Sequence, residues 1–407
     1  MRLVLAVVVF VAGAAPVRAA DFPQWRGPGR DGLLTLAPRS SWPQTLALGW
    51  KVRVGIGHSS PVVAGGRVFV FSREGDDEVL RCLDLATGKP VWRQAYPAPY
   101  TMNPAALGHG KGPKSTPVVA DGRVCTLGIG GTLSCFEAAS GRPLWRKEFA
   151  GRFKETSPLY GTAMSPVADG SRLLAHVGGH GDGALVAFDV ATGEVRWTWK
   201  GDGPGYASPV VADVGGVRQV VTVSQEHVAG VSADTGELLW KIALSTDYTQ
   251  NSVTPVLGGD LLIYGGLDRP TRAVRLAKKG AYWTPAEAWE NAEVATYLSS
   301  PVLADGKLYG FSHRRKGQFF CLDAATGRTL WLSEGRQGEN AALLAGGGAL
   351  FLLTTDGEMI VAARDPAAFR PLVRWKVAES ATWAHPVVGD GVVLVKDVDS
   401  LALWRLP

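Results

Sequence analysis

Residues 82–92 read CLDLATGKPVW, an acid followed by Thr-Gly and closed by Trp92. The same phrase returns as CFEAASGRPLW at 135–145 and AFDVATGEVRW at 187–197. It returns again as GVSADTGELLW at 230–240 and CLDAATGRTLW at 321–331. The acid can accept hydrogen bonds from the backbone N–H groups of the turn that follows it. The glycine supplies the positive φ of a tight hairpin. The indole is a flat surface for a neighbouring unit. Five copies of one turn describe structural grammar, not a row of ligand sites.

A second phrase precedes the first in each unit: SSPVVAGGRVFV at 59–70, STPVVADGRVCTL at 115–127, MSPVADGSRLLA at 164–175, ASPVVADV at 207–214, VTPVLGGDLLIY at 253–264 and SSPVLADGKLYGF at 299–311. AALLAGGGALFLL at 341–353 is a weaker copy, with Ala342 in the place of the proline. HPVVGDGVVLV at 385–395 is the eighth. The closing tryptophans Trp50, Trp92, Trp145, Trp197, Trp240, Trp289, Trp331 and Trp375 lie 42 to 53 residues apart. A period in the forties with four short strands per unit describes a propeller blade. The expected fold is all-β: an eight-bladed β-propeller of four-stranded antiparallel blades. A seven-bladed ring is the alternative, since the 341–375 unit is the most degenerate.

Trp50 has no SPVV strand before it, and the last unit ends at Leu406 without a full outer strand. Residues 46–52, LALGWKV, are therefore expected to close the ring as the outer strand of the last blade. Deleting 45–52 should open that blade, whereas deleting 21–30 should matter less. The one helix expected is TPAEAWENAE, 284–293, with Pro285 near its start and acids in its first turns.

The domain reading is a signal peptide at 1–20, an N-terminal extension at 21–44 and a propeller at 45–407. MRLVLAVVVFVAGAAPVRAA carries Arg2, a short apolar run and small residues at its end, as an export signal does. That reading implies a periplasmic or secreted monomer without a transmembrane segment. Cleavage leaves 40 basic against 37 acidic side chains. The only basic run is 313–316, read as a solvated loop, so no nucleic acid is expected as a partner. Cys82, Cys135 and Cys321 hold one repeat position, expected to be buried. Cys125 lies across a hairpin from Cys135, where a disulfide and two reduced thiols are both open.

The acid, two spacers, Thr-Gly, three spacers and Trp match at 84–92, 189–197 and 323–331. They resemble the tryptophan-docking motif of the pyrroloquinoline quinone (PQQ)-like propeller repeat, over nearly all of 45–407. DFPQWRGPGRDG, 21–32, also resembles the opening of exported bacterial propellers of this type. The resemblance implies one of two branches. The quinoprotein alcohol dehydrogenases are eight-bladed enzymes carrying PQQ and Ca²⁺. The BamB-like proteins are non-catalytic scaffolds of outer-membrane protein assembly.

The enzyme branch has an adjacent-cysteine disulfide, a Glu/Asn/Asp calcium set and a catalytic Asp. This sequence has no Cys-Cys pair, and Glu226, Asn251 and Asn340 match no family ligand residue by residue. BamB-like proteins usually carry a lipidated N-terminal Cys, which is missing here. HVGGH (176–180), GGHGDG (178–183) and DVDS (397–400) lack the context of a metal site, phosphate cradle or calcium loop.

The expected function is that of an exported, non-catalytic binding or scaffolding propeller in the cell envelope, without a cofactor. A PQQ/Ca-dependent oxidoreductase and a carbohydrate binder are the alternatives. The DG and TG turns share one face of the ring, so the variable loops occupy the other. There the repeat positions place His58, Lys114, Tyr160, Tyr206, Asn251, Tyr297, Asn340 and Trp383 as the face for a protein partner or small ligand. Arg73, His180, His227, Asp268, His313 and Asp356 are expected farther out.

Overall fold

The computed structural model describes residues 21–280 and 282–407; the signal-peptide reading of 1–20 lies outside them. Its strands form eight sheets, each with a core of four antiparallel strands. Seven blades span 62–97, 118–147, 167–201, 210–243, 256–291, 302–332 and 341–376. Blade 8 combines three C-terminal strands with Ala47–Arg53, which pairs along Ser400–Arg405. The ring is therefore eight-bladed, and Ala47–Arg53 closes it against Ser400–Arg405 as the position of Trp50 requires. The degenerate unit at 341–376 is a complete blade.

The repeated turn has a double reason for its glycine. Asp84 Oδ1 accepts from the Thr87 N–H at 3.0 Å and its hydroxyl at 2.7 Å. Asp189 and Asp323 hold their turns in the same way. Gly88 has φ +70°, and a Cβ there would stand 2.7 Å from Cδ2 of Trp50. The tryptophan of each preceding blade lies flat on this glycine. Trp92 covers Gly141, Trp145 covers Gly193, Trp197 covers Gly236 and Trp289 covers Gly327. Each indole N–H then donates to a carbonyl of the turn it covers, as Trp50 does to Leu85 and Trp197 to Ala233. Removing so large a buried side chain typically costs about 3–5 kcal/mol.

Trp240 breaks the pattern because blade 5 has no Thr-Gly turn. Its outer hairpin, Arg269–Lys279 and Tyr282–Asn291, is unusually long. Trp283 near its tip packs beside Trp240, whose N–H turns to Gln219 Oε1 at 2.7 Å. This hairpin also overturns the expected helix at 284–293. Ala and Glu favour helix in isolation, but these residues pair in register with the neighbouring strand. Glu290 meets Arg272 at 2.7 Å on the exposed side while Trp289 is buried.

Residues 21–34, whose loss is expected to matter less than that of 45–52, are nevertheless well anchored. They run inside the ring. Phe22 bridges to Val63, and the Val119 N–H donates to the Pro23 carbonyl. Leu33–Leu34 adds to blade 7 as a fifth, parallel strand beside Ala345 and Gly346. A Cβ on Gly346 would stand 2.7 Å from Leu34 Cβ, so glycine is what admits the strand. Arg30 and Arg26, 2% and 1% exposed, donate to inner-strand carbonyls of blades 3, 4 and 6. Burying two guanidiniums is tolerable only with such partners.

Cys125 and Cys135 face each other across adjacent strands and are bonded, with Cα atoms 4.1 Å apart. Cys82 and Cys321 are buried and free. Burial pushes their thiols up to about 11 and about 12, which keeps them unreactive.

Candidate functional site

The starts of six inner strands, in blades 1 to 6, bring a serine or threonine to the axis just before the proline. These hydroxyls join the blades. The Ser60 N–H donates to Thr116 Oγ1 at 3.1 Å, and Thr116 N–H to Ser165 Oγ at 2.9 Å. Ser165 continues to Ser208, Ser208 to Thr254 and Thr254 to Ser300, at 2.9–3.1 Å. His385 N–H returns to Ser60 Oγ at 2.8 Å. The strand register, with Gly346 opposite Ala349 as Ala304 is opposite Lys307, puts Ala342 at the hydroxyl position and not at the proline's, where the sequence alignment sets it. It and His385 carry no hydroxyl, and the circuit is open there.

Above this circuit, on the face of the variable loops, lies a cavity of about 520 Å³. It brings together His58, Lys114, Tyr160, Tyr206, Tyr297, Asn340 and Trp383. Asn251 is not part of it. That side chain is 0% exposed and donates to the carbonyls of Ser224, Gln225 and Leu244, tying loops of blade 4 together. Repeat position gave its blade and height but not its direction.

The side chains of the mouth hold one another in place. Lys114 Nζ donates to the Tyr160 carbonyl at 2.6 Å, and the Tyr160 N–H reaches the Tyr206 hydroxyl at 3.3 Å. The two phenol rings are 5.9 Å apart. Tyr297 donates its hydroxyl proton to Gln250 Oε1, and Asn340 Oδ1 accepts from Ser299 Oγ. A short 3-10 turn, Pro104–His109, leans over one side. His58 Nε2 lies 2.8 Å from the His109 carbonyl oxygen, which puts its proton on that nitrogen. The His109 and Trp383 rings are 5.0 Å apart.

Trp25 also lines the cavity, 5.2 Å from the His385 ring. Trp25 and His109 are single-copy residues, and repeat alignment passes over them.

Burial dominates the electrostatics. It pushes His58 down to about 4, helped by Lys396, and His385 down to about 3. His109 is lowered as well. Lys114 is lowered to about 8 by burial, and the Tyr206 phenol is raised by it. At neutral pH the mouth therefore presents neutral imidazoles and phenols beside one ammonium.

The outer residues have other duties. Arg73 is fully buried and donates to the carbonyls of Lys111 and Ala98. His313 pairs with Asp268 at 2.8 Å. His176 is buried between Thr222 and the Asp202 carbonyl, while His180 is exposed. Asp202, Glu226 and His227 lie close together, but Asp202 is already taken up by His227 Nδ1 at 3.0 Å, the Glu226 N–H at 3.1 Å and the Ser224 hydroxyl. Asp397 caps its own turn through the Ser400 N–H.

A family model for outer membrane protein assembly factor BamB matches residues 42–110 and 75–333. The chain belongs to the BamB family. It is 26% identical over 241 residues to outer membrane protein assembly factor BamB of Shewanella oneidensis, covering 56% of this chain and 59% of that one. Against the Burkholderia pseudomallei protein of the same name, identity is 28% over 184 residues, 45% and 43% of the two chains. The matches thus span about half the length of these relatives.

Among solved structures, BamB from Moraxella catarrhalis aligns with a TM-score of 0.62 at 13% identity, over 89% of this chain and 98% of that one. A europium-containing methanol dehydrogenase aligns at 0.66, also 13% identical, over 94% and 98%. At that identity the likeness shows the shared fold alone.

This BamB-family chain does not offer the donors a calcium-bound quinone needs. Calcium takes six or more oxygens, commonly from carboxylates. Among the described residues, no Asp or Glu lines the cavity. Glu226 is exposed, Asn251 is spent on backbone carbonyls, and Asn340 stands alone at the wall. Among the described residues, no helix is long and apolar enough to cross a membrane.

Proposed function

We propose that this chain is an exported, non-catalytic propeller of the cell envelope that binds a protein partner or small ligand at its aromatic mouth. The observation that carries this reading is a mouth walled by Tyr160, Tyr206, Tyr297 and Trp383 and free of carboxylates among the described residues. Such rings join an apolar face to a polar tip and dominate binding energy where partners are known. A rigid ring holds them at fixed spacing, so little ordering entropy is spent on docking. The relatives' name, outer membrane protein assembly factor, supports a role in that assembly for this chain too.

The test is capture of envelope proteins on immobilised wild type and on variants of each face. Tyr206→Ala and Trp383→Ala should each weaken a captured partner by more than about 1 kcal/mol. Lys89→Ala and Arg123→Ala, on the short-turn face, should not. Retention by the aromatic variants with loss by the short-turn variants would place the binding face at the other end. Quinone absorbance with turnover after incubation with PQQ and Ca²⁺ would instead establish the oxidoreductase reading.

A further inference from the structure

We propose that the mouth is selective for organic anions: a small molecule with an aromatic body and a carboxylate or sulfonate, held without a metal ion. This rests on the reading of the mouth as a binding face and adds the chemical class of its ligand.

The argument is the balance of charge around the cavity. Lys114 is in the wall, and no carboxylate joins it among the described residues. Two more cations lie against the Trp25 ring that lines the cavity, with Arg26 Cζ 5.4 Å and Arg30 Cζ 5.7 Å from its centroid. A fourth, Lys396, is 1% exposed and donates to the carbonyls of Gly57, Asp397 and Val398. Among the described residues, none of these four forms an ion pair. Backbone carbonyls satisfy their N–H groups without cancelling their charge. Two buried nitrogens remain unpartnered here, Arg26 Nε and His385 Nδ1. Asp31 and Glu339 are exposed, and Asp397 and Asp399 sit beside Lys396. Lys396 is thereby offset in part, while Lys114, Arg26 and Arg30 form no ion pair among the described residues; a concave, low-dielectric site over such cations focuses a positive potential into the cavity.

The walls decide the rest of the ligand. Tyr160, Tyr206, Tyr297 and Trp383 offer flat apolar faces, and the cavity volume lies within the range of small-molecule sites. An inorganic anion would leave these faces unused, and a cation would meet the field of all four charges.

The experiment titrates the protein with 2-naphthoate, 2-naphthamide and 2-naphthylmethylammonium by calorimetry, at neutral pH with and without EDTA. We expect naphthoate to bind at least about tenfold more tightly than the amide, the ammonium compound not at all, and EDTA to change nothing. Lys114→Gln should lower naphthoate affinity about fivefold or more with an unchanged melting curve. The groups beside Lys114 are His58 and His109, on which its charge acts, and Tyr160, whose carbonyl it holds. The two imidazoles are already neutral, so wild-type affinity should fall as pH rises past about 8, where Lys114 loses its proton. Lys396, lowered to about 8 as well, adds to that fall, so Lys114→Arg should retain more affinity than wild type at higher pH.

Equal affinity for acid and amide, binding that EDTA abolishes, or no loss on Lys114→Gln would overturn the proposal. If the amide binds as well as the acid and Tyr206→Ala removes both, the mouth remains a binding face and only its charge selectivity falls. If none of the three compounds binds while partner capture still depends on Tyr206, the same separation holds.

Discussion

Blades 1 to 6 and the seam at blades 7 and 8 solve one problem with different parts. Along the arc, hydroxyls from Ser60 to Ser300 join inner strands, and the indoles of blades 1, 2, 3 and 5 seat on glycines of the next turn. At the seam Ala342 carries no hydroxyl, and Trp375 finds no motif glycine. Its N–H donates to the Pro43 carbonyl at 2.9 Å, and its ring meets Trp42. Leu33–Leu34 and Ala47–Arg53 supply the remaining contacts. A repeat can complement only its own kind, so the place where it stops must be held by sequence that occurs once.

The largest expected effect is at the seam. Deleting 45–53 removes the outer strand of blade 8 and bares an edge. That protein should aggregate or lose its cooperative transition in a melting experiment monitored with size-exclusion chromatography. A melt like wild type would break the comparison.

Glycine substitutions come next. Gly193→Val in the arc meets both φ +71° and the Trp145 ring, and should cost about 3 kcal/mol in chemical denaturation. Gly348→Ala at the seam has φ +78° but open space around it, so it should cost only about 1 kcal/mol. Equal losses would mean that indole seating contributes nothing.

Acid should act on both regions. The folded pKa of His176 in blade 3 is about 4 and that of His385 in blade 8 about 3, below the ordinary 6.5, both through burial. The unfolded chain therefore binds more protons below pH 6.5. Stability is complete above that value and falls with pH toward the folded pKa, by up to about 1.4 kcal/mol per pH unit for each ring. Urea unfolding at pH 7 and pH 5 should show the loss, and His176→Gln should reduce the slope. An unchanged slope would remove this imidazole from the account.

The smallest effects concern the hydroxyl circuit. Ser208→Ala should cost about 1 kcal/mol, since it orphans the Ser165 N–H. Ala342→Ser should recover up to about 1 kcal/mol by completing the circuit at Ser300. Destabilisation by the second change would show that the seam is packed too tightly to imitate the arc.

What was legible in the sequence follows the same division. Thr-Gly, the spaced tryptophans and the SPVV strands repeat, so the blade number and the closing strand could be read from them. Residues 284–293 were misread because Ala and Glu carry local helix preference, while the pairing that overrides it is with residues 271–277 of the preceding strand. Seven of the chosen face residues line one cavity because their repeat positions converge on the axis. Asn251 shares the position but spends its amide on backbone. Trp25, Arg26 and Arg30 stood out only as part of the resemblance at 21–32, since nothing in a single-copy segment says that it runs inside a ring.

The clasp between first and last strands also orders events in time. Residues 47–53 are synthesised early, yet their partners at 400–405 come last. Joining chain ends roughly 350 residues apart costs about 5 kcal/mol of loop entropy, repaid only when the clasp shuts. Until then blade 8 has no outer strand, and Trp50 has no finished sheet behind it. A chain cut short by eight residues would lose the partner strand and with it the closure of the ring. The ring can thus shut only once residues 400–405 have been made.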